Sequence, residues 1–92
     1  MVVMPGGFGT FDELFEVLTM LQTRKMTKHQ PILLFGTEYW NSVINFDALV
    51  KAGTISAKDL KYIHHTDSVD DAFEFITREL TKYALADPGG SL

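Results

Sequence analysis

The sequence predicts an α/β fold in which three parallel strands alternate with helices. Three observations carry that expectation. Apolar runs alternate with stretches of helical periodicity, in the order strand, helix, strand, helix, strand, helix. A glycine-rich turn, Pro5-Gly6-Gly7-Phe8-Gly9, joins the first apolar run to the first helical pattern. The run "PILLFG" is continuously apolar and closed by glycine, which suits a strand covered on both faces. Alternation of this kind implies parallel strands joined by right-handed crossovers.

Each element has its own warrant. Met1 to Met4 reads as the end of an apolar strand. Thr10 to about Thr23 reads as a helix, because Phe11, Leu14, Phe15, Leu18 and Leu21 share one face and Val17 and Met20 widen it. Arg24 to Gln30 is a polar connection into the second strand. Glu38 to Ala52 reads as a single helix carrying Trp40, Val43, Ile44, Phe46, Leu49 and Val50, with Gly53 as its C-terminal cap. Ser56 opens a short turn or helix, and "KYIHH" is the third strand. Ser68 with Asp71 three residues on marks a helix start, and Val69, Ala72, Phe73, Ile76 and Leu80 form the apolar face that follows. Residues 1–83 are expected to form one domain and 84–92 a flexible tail. The first strand begins at residue one, so its outer edge invites pairing with a second chain or with more of a longer one.

Composition narrows the function classes. A chain of 92 residues should bury roughly 60–65% of the surface its unfolded form exposes, enough for one modest core. A net charge of −4 with only eight Lys and Arg argues against a nucleic-acid partner. Without cysteine there is no disulfide framework, thiolate zinc site or thiol nucleophile. No apolar run reaches the length of a membrane span and no signal peptide is evident, so the expected location is the cytoplasm.

The glycine loop is where chemistry is expected. Glycines let the backbone approach an anion closely, and a helix N-terminus offers unpaired N–H groups with partial positive charge. The loop is neither a Walker A sequence nor a G-x-G-x-x-G fingerprint. It can be a phosphate cradle, or a tight strand-to-helix turn whose glycines serve only packing. Thr10 and Glu13 likewise admit two readings: a T-x-x-E capping box, or a catalytic carboxylate beside a bound phosphate sugar. Glu16 lies one turn further on the same face, and two nearby acids can divide acid and base roles. An acidic helix start also simply complements the helix dipole.

These residues carry a resemblance. "PGGFGTFDE" is similar to the P-G-G-x-G-T-x-x-E signature of the LOG (Lonely Guy) cytokinin-activating phosphoribohydrolases, whose wider family is labelled "possible lysine decarboxylase". "LFEVLTMLQTRK" and "QPILLFGTEYWNSV" also look like that family's bacterial members, so the likeness runs through about residue 80. The resemblance implies a three-layer Rossmann-like fold and cleavage of the N-glycosidic bond of nucleoside 5′-monophosphates to base and ribose 5-phosphate. It implies Gly6, Gly7, Gly9 and Thr10 at the phosphate, Glu13 as the essential acid and assembly into a homo-oligomer. Family members carry a further stretch upstream, with a second glycine loop and an essential arginine. Arg24 and Arg78, the arginines present here, match no family catalytic position. The chain is therefore expected to correspond to the carboxyl-terminal half of the fold, truncated, and to be inactive or nearly so alone. The alternative is a non-catalytic, self-associating module. Six lysines are present, but none sits in a context that suggests a pyridoxal phosphate Schiff base, and no cofactor is expected.

Other residues are weaker candidates. His64 and His65 are adjacent on a strand and should face opposite sides of the sheet, which does not suit a metal pair. His29 reads as a solvated loop residue. Tyr39-Trp40 can stack on a base or serve the core and subunit contacts. Gln22 and Arg24 close the first helix; the resemblance implies that this helix contributes to a subunit interface and the adjoining site, so they are a subunit contact or plain surface. Asp67, Asp70, Asp71 and Glu74 are explained by the dipole of the last helix.

Overall fold

The computed structural model describes residues 1–23 and 32–86. Three strands, β1 (Val2–Val3), β2 (Ile32–Phe35) and β3 (Ile63–Thr66), form one parallel sheet in the order β1-β2-β3. Between them lie α1 (Phe8–Gln22), α2 (Thr37–Val43), α3 (Phe46–Lys51) and a 3-10 helix (Ala57–Tyr62), and α4 (Val69–Ala86) follows β3. The alternation read from the sequence is therefore present as an open, Rossmann-like α/β arrangement. The polar connection with Arg24 and His29 lies outside the described residues, as do 87–92 of the expected tail.

The register fixes two faces. Val3 pairs with Leu34, and Leu34 with His65, so these share one face; Val2, Leu33 and His64 share the other. The core sits on the first face. Val3, Ile32 and Leu34 pack with Leu14 and Leu21 of α1 and with Trp40 of α2. Trp40 is fully enclosed, its indole N–H donates to the Phe35 carbonyl at 3.0 Å, and its ring meets Phe11 edge-on at 5.7 Å. The two histidines divide as alternation demands. His65 packs against Phe46 of α3, while His64 stacks on Phe75 of α4 at 4.1 Å. Hence α3 and α4 lie on opposite sides of the sheet.

Several elements differ from expectation for identifiable reasons. The stretch Glu38–Ala52 is two helices, not one. Ile44 is extended (φ −133°, ψ 122°), and the Asn45 side chain accepts from the Ala48 N–H at 3.0 Å, which starts a new helix. The C-terminal signal was legible: Gly53 is left-handed (φ +78°), its N–H reaches the Val50 carbonyl, and the Thr54 N–H reaches that of Leu49. The third strand begins at Ile63 because the turn opened by Ser56 runs on as the 3-10 helix to Tyr62. At the last helix, the Ser68 hydroxyl accepts from the Asp71 N–H at 3.1 Å, but the Asp71 carboxylate turns to His64 instead of closing a capping box. The apolar stripe of α4 is also not a core face in this chain. Ala72 is buried, yet Val69, Phe73 and Leu80 are 73%, 72% and 58% exposed.

Candidate functional site

The strand-to-helix turn after β1 gathers the candidate residues at the carboxyl end of the sheet. Helix α1 starts at Phe8, two residues earlier than the periodicity suggests, with Gly7 as its N-cap. Thr10 therefore stands within the first turn and Glu13 in the second, and the capping box read from their spacing does not form. The Thr10 hydroxyl lies against Gly6 instead. A Cβ on Gly6 would come within 2.2 Å of Thr10 Oγ1, so the close approach of loop and helix requires glycine there.

Among the described residues, no side chain caps this helix end. Gly7 carries no side chain to cap it, and the first turn holds no acid. The first acceptor in the helical ladder is the Gly7 carbonyl, which receives the Phe11 N–H at 3.1 Å, so the N–H groups of Phe8, Gly9 and Thr10 precede it. A Cβ on Gly7 or Gly9 would meet nothing within 4 Å, and neither residue has a left-handed φ. Packing among the described residues does not explain glycine at these two positions. Their missing side chains keep open the space beside a partly positive helix end.

Beside the loop is a cleft of about 240 Å³, bounded by the β1 segment from Met1 to Pro5 and by Thr10 and Glu13. The fold thus brings Glu13 and Thr10 to one concavity, with Gly6, Gly7 and Gly9 in the adjoining turn. Glu16 does not line that cleft, so the two carboxylates are not brought together there.

The neighbouring helix end shows the contrast. Asp67, grouped by sequence with the acids of α4, instead caps α2. Its carboxylate accepts from the Thr37 N–H at 2.7 Å and from the Thr37 hydroxyl at 2.5 Å, and these bonds hold its pKa below the ordinary carboxylate value. Gly36, at φ +99°, makes the turn between β2 and α2, and its N–H reaches the Thr66 carbonyl at 2.9 Å. One helix N-terminus at this end of the sheet holds the protein's own carboxylate; that of α1 does not.

The remaining candidates resolve as packing or support. Tyr39 does not present a free ring. Its hydroxyl donates to the Gly6 carbonyl, and its ring meets Trp40 edge-on at 5.2 Å. Gln22 donates to the Asp59 carboxylate at 3.0 Å, tying α1 to the 3-10 helix. Asp59 also accepts from the Ser56 N–H, and its pKa lies below the ordinary value, the backbone bond being the larger cause. His64 pairs with Asp71 at 3.0 Å, and this bond leads the causes that lower the Asp71 pKa. Desolvation lowers that of His65. Among the described residues, no three His, Asp or Glu converge as a metal site and no helix is long and apolar enough to cross a membrane. Tyr39 and Asp67 are the two supports that sequence reasoning missed. Their partners, Gly6 and Thr37, lie 33 and 30 residues away, and no local pattern links either pair.

Comparison with known proteins places these features in a family. The model of the family described as "Possible lysine decarboxylase" matches residues 1–76. The chain is 40% identical over 57 residues to the probable cytokinin riboside 5′-monophosphate phosphoribohydrolase LOGL3 of Oryza sativa subsp. japonica, covering 60% of this chain and 26% of that protein. It is 39% identical over 57 residues to LOGL5 of the same plant, covering 22% of it. It is 42% identical over 57 residues to the cytokinin riboside 5′-monophosphate phosphoribohydrolase LOG1 of Arabidopsis thaliana, covering 26%. The match spans about a quarter of each of these relatives. On the family match over residues 1–76, this chain belongs to the possible lysine decarboxylase family.

Proposed function

We propose that this chain carries the phosphate-holding and carboxylate part of a site that hydrolyses the N-glycosidic bond of a nucleoside 5′-monophosphate. The single observation that supports it most is the uncapped start of α1. Gly7 and Gly9 leave space there that no described residue fills, beside a cleft that includes Thr10 and Glu13. The printed names of the relatives supply the substrate class.

In this reading the phosphate oxygens accept from the first-turn N–H groups and from the Thr10 hydroxyl. The backbone at Gly6, Gly7 and Gly9 leaves the phosphate room. Fixing the phosphate places the ribose over the cleft. As the bond between C1′ and the base nitrogen breaks, the sugar gains oxocarbenium character. The Glu13 carboxylate stabilises that positive charge and accepts a proton from the water whose oxygen adds to C1′. The base leaves carrying the bonding electron pair, takes up a proton, and ribose 5-phosphate remains. One carboxylate does little for the departing base, so turnover by this chain alone is weak.

The test is release of adenine and ribose 5-phosphate from AMP, followed by chromatography, with the wild-type chain and Glu13→Gln. The reading expects release that Glu13→Gln lowers by about 100-fold or more, the scale of a lost general base or charge stabiliser. Equal release by both proteins refutes it.

A second reading is supported by a separate observation. Val2 on the edge strand, Met4 just beyond it, and Val69, Phe73 and Leu80 on α4 are exposed. Exposed apolar side chains and an open sheet edge favour self-association. A homo-oligomer is compatible with the hydrolytic site and does not replace it.

A further inference from the structure

The loop that holds the open helix end is tethered from another element. We propose that Tyr39 is a positioning residue for anion binding: its phenol, delivered from α2, pins the Gly6 carbonyl and so orients the glycine turn before ligand arrives. The inference rests on the phosphate-loop reading above and adds to it a residue outside the signature.

Three contacts carry it. The Tyr39 hydroxyl donates to the Gly6 carbonyl, across 33 residues of sequence. The turn at Gly36 packs close to Pro5, near enough that a Cβ on Gly36 would lie 3.3 Å from Pro5 Cγ. The first turn of α2, which presents Tyr39, is itself fixed by Asp67 at the Thr37 N–H and hydroxyl. The loops after β2 and β3 therefore brace the loop after β1.

The physical need is clear. Adjacent glycines have the widest conformational freedom of any dipeptide, and an anion that had to order them would bind correspondingly weakly. A carbonyl held from outside fixes the peptide plane it belongs to, Gly6–Gly7, and with it the direction of the Gly7 N–H. The ordering is then complete in the folded protein rather than charged against binding, which is what preorganisation means for a first contact shell. Tyrosine suits the task. Its ring is anchored edge-on to the buried Trp40, so the hydroxyl is delivered from a rigid base.

The test compares the wild-type 92-residue chain with Tyr39→Phe and with 3-fluorotyrosine incorporated at position 39, using amide NMR. Phenylalanine keeps the ring on Trp40 and loses only the donor; fluorotyrosine keeps both. Without ligand, Tyr39→Phe is expected to lower the amide order parameters of Gly7 and Gly9 while those of Leu14 and Leu21 stay unchanged. Titration with inorganic phosphate, then AMP, is expected to shift the Gly7, Gly9 and Thr10 amides in wild type. Affinity should fall about five- to tenfold in Tyr39→Phe, the worth of one neutral hydrogen bond, and recover with fluorotyrosine. A disordered loop with unchanged affinity overturns the positioning role, as does a loop that stays ordered without the hydroxyl. If the loop loosens as expected but wild type responds to neither phosphate nor AMP, the phosphate reading fails and Tyr39 is confined to the fold.

Discussion

At the scale of single residues, the three glycines of the turn are not equivalent, and substitution separates them. Gly6 is demanded by the Thr10 side chain, so Gly6→Ala drives a Cβ into Thr10 and should lower the thermal midpoint. Gly9 lies within the first turn of α1 with open space around it. Gly9→Ala should therefore stabilise the fold by up to about 1 kcal/mol through helix propensity, yet weaken phosphate binding because the Cβ enters the space beside the N–H groups. Calorimetry and phosphate titration of the same two variants check both signs. Stabilisation with unimpaired binding would show that the glycine serves only the turn. Leu14, fully enclosed against the sheet, gives the packing reference. Leu14→Ala should cost about 2–5 kcal/mol in denaturant unfolding.

At the scale of elements, charge decides how the loops hold together and how pH acts on them. Burial lowers the pKa of His65 below the ordinary 6.5, so the unfolded chain binds the proton more readily than the folded one. That contribution to stability is complete above about pH 6.5 and is lost as pH falls through the lowered folded value. Asp59, Asp67 and Asp71 are lowered from the ordinary 3.8 by the hydrogen bonds they accept. Their stabilisation is complete above that value and fades as pH falls below it. Thermal midpoints should therefore decline on acidification in two stages, a mild one below about pH 6.5 and a steeper one below about pH 4. His65→Phe should flatten the first stage, and Asp67→Asn the second. A midpoint that rises on acidification in either range contradicts the assignment. Asp67→Asn should also loosen the start of α2 and, through Tyr39, the glycine turn, which amide order parameters at Thr37 and Gly7 would read together.

At the scale of the molecule, the sheet is covered unevenly. The face bearing Val3, Ile32 and Leu34 holds the core, while the opposite face receives α4 over β3 and leaves Val2 exposed. With Phe73 and Leu80 also exposed, association through this side should bury apolar surface. Light scattering over a range of protein concentrations should show an oligomer that Phe73→Glu with Leu80→Lys dissociates, leaving the far-ultraviolet spectrum intact. A wild-type monomer at every concentration would remove the second reading.

Much of this arrangement was written in local pattern. The alternation of apolar runs with helical periods determined three parallel strands separated by helices, because side-chain period is a property of consecutive residues. The Pro-Gly-Gly-x-Gly-Thr stretch determined the turn, and Gly53 the end of α3, for the same reason. What the tertiary structure alone decided depends on partners remote in sequence. The start of α1 at Phe8 turned the Thr10–Glu13 spacing from a capping box into a cleft. Asn45, capping α3, divided a continuous apolar pattern into two helices. Asp67 moved from the last helix to the N-terminus of α2, and Tyr39 from an aromatic pair to the Gly6 carbonyl. A hydrogen bond between distant residues leaves no trace in periodicity, since its energy depends on where the fold sets donor and acceptor. The stripe on α4 makes the converse point. Its spacing determined that one side is apolar, but whether that side is buried depends on what the rest of the molecule sets against it.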